Sequence, residues 1–490
     1  MSVEPTVMAR AAAVQETGVP DPEMVTAADF GPALAARLAE PQTRLLALSW
    51  VPDLPTAPGG AESAGFVVAF YDGVERPAAT AAPARSPSRP SRAGVVAALA
   101  DERRLEREGL VWAETAPEPV VLGRGVFTFP LGPVRGDVAE SVGWRLEVMG
   151  DEVLALGLRF GYKCRRLQEQ MGPAGPVAGV ALAERVTGTS PVAHALAFAG
   201  AWEAALEMEV PPAALHWRAV MAELERLQSH LGDLAGLANA TGLPAAAAEL
   251  FVLKEQVLRL CLRRTGHRYQ RGLVVVGGIR REPESVPDLD PGLREIRERF
   301  MRNIAQLGRS TSFLDRLHGA GRVPPAVAAT LRPVGPTGRA CGWGYDVRHD
   351  HPYGLHASTG APARAVVDKG DAWGRYRVRV LEVLASIGWL RERLAAGTPG
   401  GPTAAVGPMP SWADRPSGAD IRMARVEAPR GELIYFVWPG RSGARPWVRV
   451  RTASAVNWAV VPPAVGEGNV LQDVPIIDAS FSLSVSAVDR

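Results

Sequence analysis

Apolar residues recur at helical spacing over most of the chain, broken by a few alternating stretches. WRLEVMG and VLALGLRFG each alternate, and a Gly-Asp pair, Gly150–Asp151, separates them. That pattern predicts a hairpin running on into a helix. From Pro212 to Gly242, HWRAVMAELERLQSHLGDLAGLANATG keeps one apolar face and closes on Thr-Gly, which predicts a long helix. FVLKEQVLRLCLRRTGHRYQ predicts another helix ending at Thr265–Gly266, followed by a short strand ending at Gly277–Gly278. DPGLREIRERFMRNIAQLGR is amphipathic, and GDAWGRYRVRVLEVLASIGWLRERL starts with Asp371 in a capping position.

Residues 1–125 have a different texture. LLALSWVPD and GFVVAFYDG have strand composition and end in turn signals, with TAPGGAESA as the loop between them. Glu75 to Gly94, rich in Pro, Ala and Ser, predicts a flexible linker or long exposed loop, and VVAALADERRLEREGL a helix. The expectation is a small α/β domain ahead of a larger one spanning 126–490.

One stretch, LAERVTGTSPVAHALAFAGAWE from Leu182 to Glu203, reads as a turn feeding a helix. Gly188 breaks, Thr189 and Ser190 can cap, and Pro191 suits the first helical position. His194, Phe198 and Trp202 follow at i, i+4 and i+8 on one face. On periodicity alone this is a capped core helix. Arg226 and His230, also four apart, share a face of the 212–242 helix and read, with Glu225, as an internal salt-bridged set.

Composition narrows the function classes. The chain has 490 residues, 47% hydrophobic and 22% charged, which is globular and large enough for two to four domains. A net charge of +2 gives no electrostatic case for nucleic acid as a partner. The three cysteines, Cys164, Cys261 and Cys341, lie far apart and form no CxxC, which argues against a disulfide framework or a cysteine-built cluster. No GxGxxG or P-loop lysine occurs, which argues against direct nucleotide binding. The first residues lack the apolar core of a signal peptide, and no stretch of about 18 apolar residues appears. A membrane role is therefore expected to come through a partner.

Several motifs, in order, resemble a known family. Glu184, Arg185, Thr187, Gly188, Ser190 and His194 fall in the frame E-R-x-C-G-x-C-S-x-x-H of nickel–iron hydrogenase large subunits of the energy-converting type. The 49-kDa-type subunit of respiratory complex I carries R-x-x-G-D-x-x-x-A-H there. Gly132, Pro133, Gly161, Tyr162 and Arg165 match an earlier hairpin motif, in which Arg135 and Cys164 replace histidines. By the same alignment Gly143 and Pro176 stand where the complex I relative has a quinone-contacting histidine and tyrosine, and neither side chain can donate a hydrogen bond. Glu225, Arg226 and His230 fit E-L-E-R-x-x-x-H-L-x-D. Thr265, Gly266, Arg268, Gly272, Gly277 and Gly278 fit a glycine-rich turn motif. Gly335, Pro336, Arg339, Gly342, Asp346, Arg348, Pro352 and Tyr353 fit an irregular loop that Asp346 and Arg348 could tie down. The neighbouring His349 and His351 read as surface residues rather than ligands. Gly370, Asp371, Arg375, Arg379 and Glu382 fit a helix, and Glu427, Arg430, Gly431 and Glu432 a strand pair.

The end of the chain, DVPIIDASFSLSVSAVDR, resembles the hydrogenase terminus through Asp473, Ser480 and Arg490. Ser484 and Ala487 stand where its second cysteine pair would be, as Thr187 and Ser190 do for the first. Hydroxyls and a methyl do not replace the four thiolates of a soft-metal site.

The resemblance covers about Val126 to Arg490. It implies an α+β fold: mainly a helical bundle of hydrogenase large-subunit type with a β-rich flank, beside the small amino-terminal α/β domain. In such relatives a 30-kDa-type accessory domain is often fused at that position. It implies an oxidoreductase subunit with no metal of its own, at the cytoplasmic face of a membrane. Its partners would be a small iron–sulfur subunit, which carries the clusters, and membrane subunits of an ion-translocating complex. Either a quinone-like acceptor is handled at an inherited cavity, or conformational change is passed towards an ion-translocating arm, or the chain serves as an inactive scaffold. The cavity would be lined by Arg135, Cys164, Arg165, Thr187, Ser190, His194, Ser484 and Ala487.

Overall fold

The computed structural model describes residues 121–135, 140–284, 289–405, 421–440, 445–466 and 468–489, together with the course of four strands nearer the amino terminus. Those strands, β1 (Glu23–Met24), β2 (Arg44–Val51), β3 (Phe66–Asp72) and β4 (Pro77–Pro83), form one sheet in the order β1-β4-β3-β2. β2 and β3 are the two strands expected from composition, and they pair antiparallel. β4 corrects the expectation of a linker throughout 75–94. Its Ala-rich segment is recruited by backbone pairing with β3, with proline confined to its two ends. The helix expected over VVAALADERRLEREGL lies outside the described residues.

The expected hairpin is present. β6 (Gly143–Met149) and β7 (Glu152–Arg159) pair antiparallel across Gly150–Asp151, and β5 (Val126–Leu131) adds a third strand at the edge. Gly150 takes a positive φ of 62°, the conformation the two-residue turn requires. α1 (Leu167–Ala183) follows, broken at Gly175 (φ 67°) between Pro173 and Pro176.

Long helices follow in the bundle: α2 (Pro191–Leu206), α3 (Pro212–Ala240), α4 (Pro244–Thr265) and α5 (Leu289–Leu307). α2 is buried on nearly every side, so its His194/Phe198/Trp202 face is one part of a fully enclosed rod. α4 ends at Gly266 (φ 72°) as its Thr-Gly signal predicts. The expected single strand before Gly277–Gly278 is instead a minimal hairpin of β8 (Val274–Val275) and β9 (Gly278–Ile279). A Cβ on Gly278 would lie 2.4 Å from the Thr403 carbonyl oxygen, so close backbone approach explains that glycine. α6 (Ala372–Ala396) is capped by Asp371, whose carboxylate accepts the Gly374 N–H at 2.8 Å. β10 (Arg422–Ala428), β11 (Gly431–Trp438) and β12 (Trp447–Arg451) form an antiparallel sheet, and α7 (Val474–Phe481) precedes the carboxy-terminal tail. α2 packs on β10–β11 and on α3, and α3, α6 and α7 pack on one another, around one continuous apolar core.

Candidate functional site

The turn ahead of α2 folds against the start of the tail. Thr187 Oγ1 and Ser190 Oγ are buried and 2.6 Å apart. Ser190 occupies the N-cap position but makes no side-chain cap, because its hydroxyl is spent on Thr187. The open N–H groups of α2 are met from elsewhere. Glu225 on α3 accepts the Val192 N–H at 2.6 Å and the Ala193 N–H at 2.9 Å. Glu225 thus departs from the expected salt-bridged set. Arg226 and His230 instead share Glu382 of α6, at 3.4 and 2.8 Å. Burial drives the Glu225 pKa up to about 8, against the opposing pull of the two N–H donors and Arg226.

Arg430, in the β10–β11 turn, joins the two ends of the large unit. Its guanidinium donates to Thr189 Oγ1 (2.9 Å), Ser229 Oγ (3.2 Å) and Asp233 Oδ1 (3.1 Å), and its Nε–H to the Ser482 carbonyl. Thr189 lies between Thr187 and Ser190, and Ser482 lies two residues before Ser484. Burial raises the Asp233 pKa, but Arg430, His230 and Arg379 together outweigh it and hold the carboxyl well below its usual range. Arg379 donates to the carbonyls of Ser480 (2.7 Å) and Phe481 (3.0 Å), and Arg375 donates to Ser480 Oγ (3.0 Å). Two arginines from α6 therefore hold the carboxy-terminal end of α7, where its carbonyls carry negative charge.

The tail is clamped by carboxylates. Glu140 accepts from Ser484 Oγ (3.0 Å), Ser486 Oγ (2.6 Å) and the N–H groups of Val485 and Ser486. Asp489 accepts the N–H groups of Gly161 (2.8 Å) and Lys163 (2.9 Å) just after β7. Thr452 Oγ1 donates to the Ala487 carbonyl at 3.0 Å.

The remaining expected site residues divide. Arg135 pairs with Asp478 of α7 at 3.0 Å, and Arg165 donates to the Val186 carbonyl at 2.9 Å, beside Thr187. His194 Nδ1 lies 2.8 Å from Tyr435 Oη, both buried. Ala487 is buried. Cys164 is exposed, so its thiol lies outside the buried cluster it was expected to line. Its position just past the end of β7 turns it to solvent. Asp346 and Arg348 do tie down their loop, 2.7 Å apart, whereas His351 is exposed and His349 contacts the Pro362 carbonyl. Sequence reasoning singled out none of Glu140, Asp233, Tyr435 and Asp489. Arg430 was visible as a motif residue without a role.

Behind this cluster lies a buried charge lattice. Glu382 joins His230 and Arg339 (2.6 Å), Arg339 joins Glu427 (2.8 Å), and Arg348 joins Asp346 and Glu223 (3.0 Å). Burial pushes Glu427 up to about 7, with Asp346 adding to the shift. Burial also raises Glu223, but Arg348 and Arg226 reverse that and bring it down to about 2.

A nickel–iron centre does not fit the donors present. Thr187, Ser190, Ser484 and Ala487 offer hydroxyls and a methyl, and the hydroxyls already bond each other or Glu140. Among the described residues no group of His, Cys, Asp or Glu is arranged to hold a metal ion.

This architecture is that of a large subunit from hydrogenase-like and complex I-like membrane assemblies. Its sequence is similar both to the 49-kDa subunit of the respiratory-chain NADH dehydrogenase and to hydrogenase subunits. The sequence profile of "Respiratory-chain NADH dehydrogenase, 49 Kd subunit" matches residues 241–417. The chain is 28% identical to the carbon monoxide-induced hydrogenase of Rhodospirillum rubrum, over 74% of this chain and 99% of that protein. It is 30% identical to formate hydrogenlyase subunit 5 of Escherichia coli, over 74% of this chain but only 62% of that protein. NADH-quinone oxidoreductase subunit 4 of Thermus thermophilus is 28% identical, over 74% of this chain and 94% of its own length. In fold, a chain of the membrane-bound sulfane sulfur reductase, an archaeal respiratory membrane complex, superposes with a TM-score of 0.66 at 24% identity, covering 76% of this chain and all of that one. No described helix is long and apolar enough to cross a membrane.

Proposed function

We propose that the chain is a large subunit of a membrane-associated oxidoreductase complex whose inherited site works without nickel and passes electrons to a quinone-like acceptor. The observation that carries this reading is the Arg430 guanidinium, which gathers Thr189 and Ser482 from the two segments that hold metal-binding cysteines in hydrogenases. The segments still meet, and the side chains between them are hydrogen-bonding groups. A small iron–sulfur subunit supplies electrons from its clusters, and membrane subunits hold the assembly at the cytoplasmic face.

A quinone needs donors for its carbonyl oxygens and protons for its reduced form. Arg135, Arg165, Thr187, Ser190, His194 and Ser484 provide donors and Ala487 an apolar wall. The buried His194–Tyr435 pair at 2.8 Å offers a proton-exchanging couple.

The test is quinone reduction by the purified complex, with metal analysis alongside. Arg135→Ala and His194→Ala are each expected to slow quinone-dependent turnover at least tenfold while the complex stays assembled. Unchanged rates in both would defeat the cavity reading, and stoichiometric nickel would defeat the metal-free one. A scaffold role is the second reading. It is favoured by how fully the site hydroxyls are already engaged, Thr187 with Ser190 and Ser484 with Glu140. An assembled wild-type complex with no quinone turnover would decide for it.

A further inference from the structure

Away from the Arg430 cluster, at the other end of the α3–α6 pair, cationic and aromatic groups gather, and the carboxylate nearest them among the described residues is the exposed Glu392, 4.0 Å from Arg393. Trp217 on α3 carries the Arg264 guanidinium over its ring, 4.3 Å from the centroid. His216 packs edge-on against Trp217 at 5.2 Å, and Arg264 and Arg393 both bear on it electrostatically. Arg393, near the end of α6, lies over Trp389 at 5.9 Å, and Trp389 packs against His356 at 5.2 Å.

The polar groups here are not satisfied by the protein. Arg264 is only 7% exposed, yet it donates no side-chain hydrogen bond to a described residue. Arg264 Nε, Arg393 Nε and Trp217 Nε1 are all buried without a hydrogen-bond partner. No carboxylate offsets Arg264, whose pKa is lowered by burial alone. For His216, burial and the two arginines all disfavour the charged form. Arg339, also buried, is by contrast matched by Glu382 and Glu427. Two guanidinium Nε–H groups and an indole N–H, three buried donors without an acceptor, call for a ligand that only accepts.

We propose that this cluster, between the first turns of α3, the end of α4 and the end of α6, binds a small oxyanion. The Arg264 fork and Arg393 hold its charge, and Trp217 Nε1–H takes one oxygen. A carboxylate and a phosphate share the chemistry. Either would brace α3 against α6 at the end opposite the Arg430 cluster, which makes the ligand an effector rather than a substrate. This inference does not rest on the quinone reading.

The experiment uses the full chain, titrated with inorganic phosphate or with acetate at matched ionic strength against sodium chloride. It is followed by calorimetry and tryptophan fluorescence. Saturable binding of one of the two is expected, and the tighter arm identifies the source. Trp217→Phe, which keeps the ring and removes the N–H, is expected to weaken binding severalfold. Arg264→Gln is expected to weaken it at least tenfold. Absence of saturable binding in the wild type overturns the proposal, and so does binding that both variants retain in full. Should Arg264→Gln fail to fold, the wild-type titration and Trp217→Phe still decide the question.

Discussion

Thr187 Oγ1 and Ser190 Oγ lie 2.6 Å apart in a buried turn, each the other's hydrogen-bonding partner. The pair closes the site from within. Removing one hydroxyl leaves the other buried and unmet, which costs about 1–3 kcal/mol. Thr187→Val and Ser190→Ala should each destabilise the chain by roughly that amount in urea unfolding. The double variant should cost clearly less than their sum, because the second change removes the orphan left by the first. Strict additivity would show that the two hydroxyls do not depend on each other.

Arg430 is expected to be the most sensitive single position in the large unit. Arg430→Met leaves the buried Asp233 with the longer Arg379 contact, at 3.4 Å, and releases both Thr189 and Ser482. Breaking a buried pair by removing one partner costs about 3–5 kcal/mol. Adding Asp233→Asn should recover part of that loss, since it removes that charge. If denaturation midpoints show no recovery in the double variant, the Arg379 contact suffices for Asp233.

The position of Glu225 predicts an unusual pH dependence. Its pKa is raised from 4.5 to about 8, with burial as the main cause. Between those values the folded chain holds a proton that the unfolded chain has lost. Its contribution to stability is therefore fully present below about 4.5 and is lost as pH rises through about 8. Glu225→Gln should flatten the fall in stability across that window. The steepest difference in slope is about 1.4 kcal/mol per pH unit. The readout is unfolding free energy of both proteins from pH 5 to 9; parallel curves would mean that Glu225 is already ionised at pH 5.

Much of this was legible in the chain, and the rest was hidden for physical reasons. Helix α3, the β6–β7 hairpin and the Asp371 cap follow from periodicity and local turn chemistry. That Arg430 would reach both Thr189 and Ser482 was not readable from any local pattern. The other partners were not either. Glu225 was read with Arg226 and His230 because they are close on one helix, but its carboxylate turns to amides on α2 that lie 32 and 33 residues away. Glu140 and Asp489 clamp across more than 300 residues, which no local pattern encodes. β4 was missed because an Ala- and Pro-rich segment takes strand geometry here only through its pairing with β3.

The Glu140 clamp gives the tail an acid-sensitive fastening. Burial raises the Glu140 pKa, but the Ser486 and Ser484 hydroxyls and the main-chain N–H groups of Ser486 and Val485 outweigh it and lower it from 4.5. A depressed carboxyl contributes stability above its unfolded value and loses it as pH falls through the folded one. The tail should therefore loosen in acid, below about pH 4.5, ahead of the core helices. Glu140→Ala should produce the same loosening at neutral pH. It leaves two buried or half-buried serine hydroxyls and two N–H groups to find other partners, at a cost of about 1–3 kcal/mol for each that stays unmet. Hydrogen exchange at residues 484–487 is the direct measure. Faster exchange there in Glu140→Ala, with α3 unchanged, is the expected result. Protection equal to wild type would assign the hold on the tail to Asp489, Arg379 and Thr452 instead.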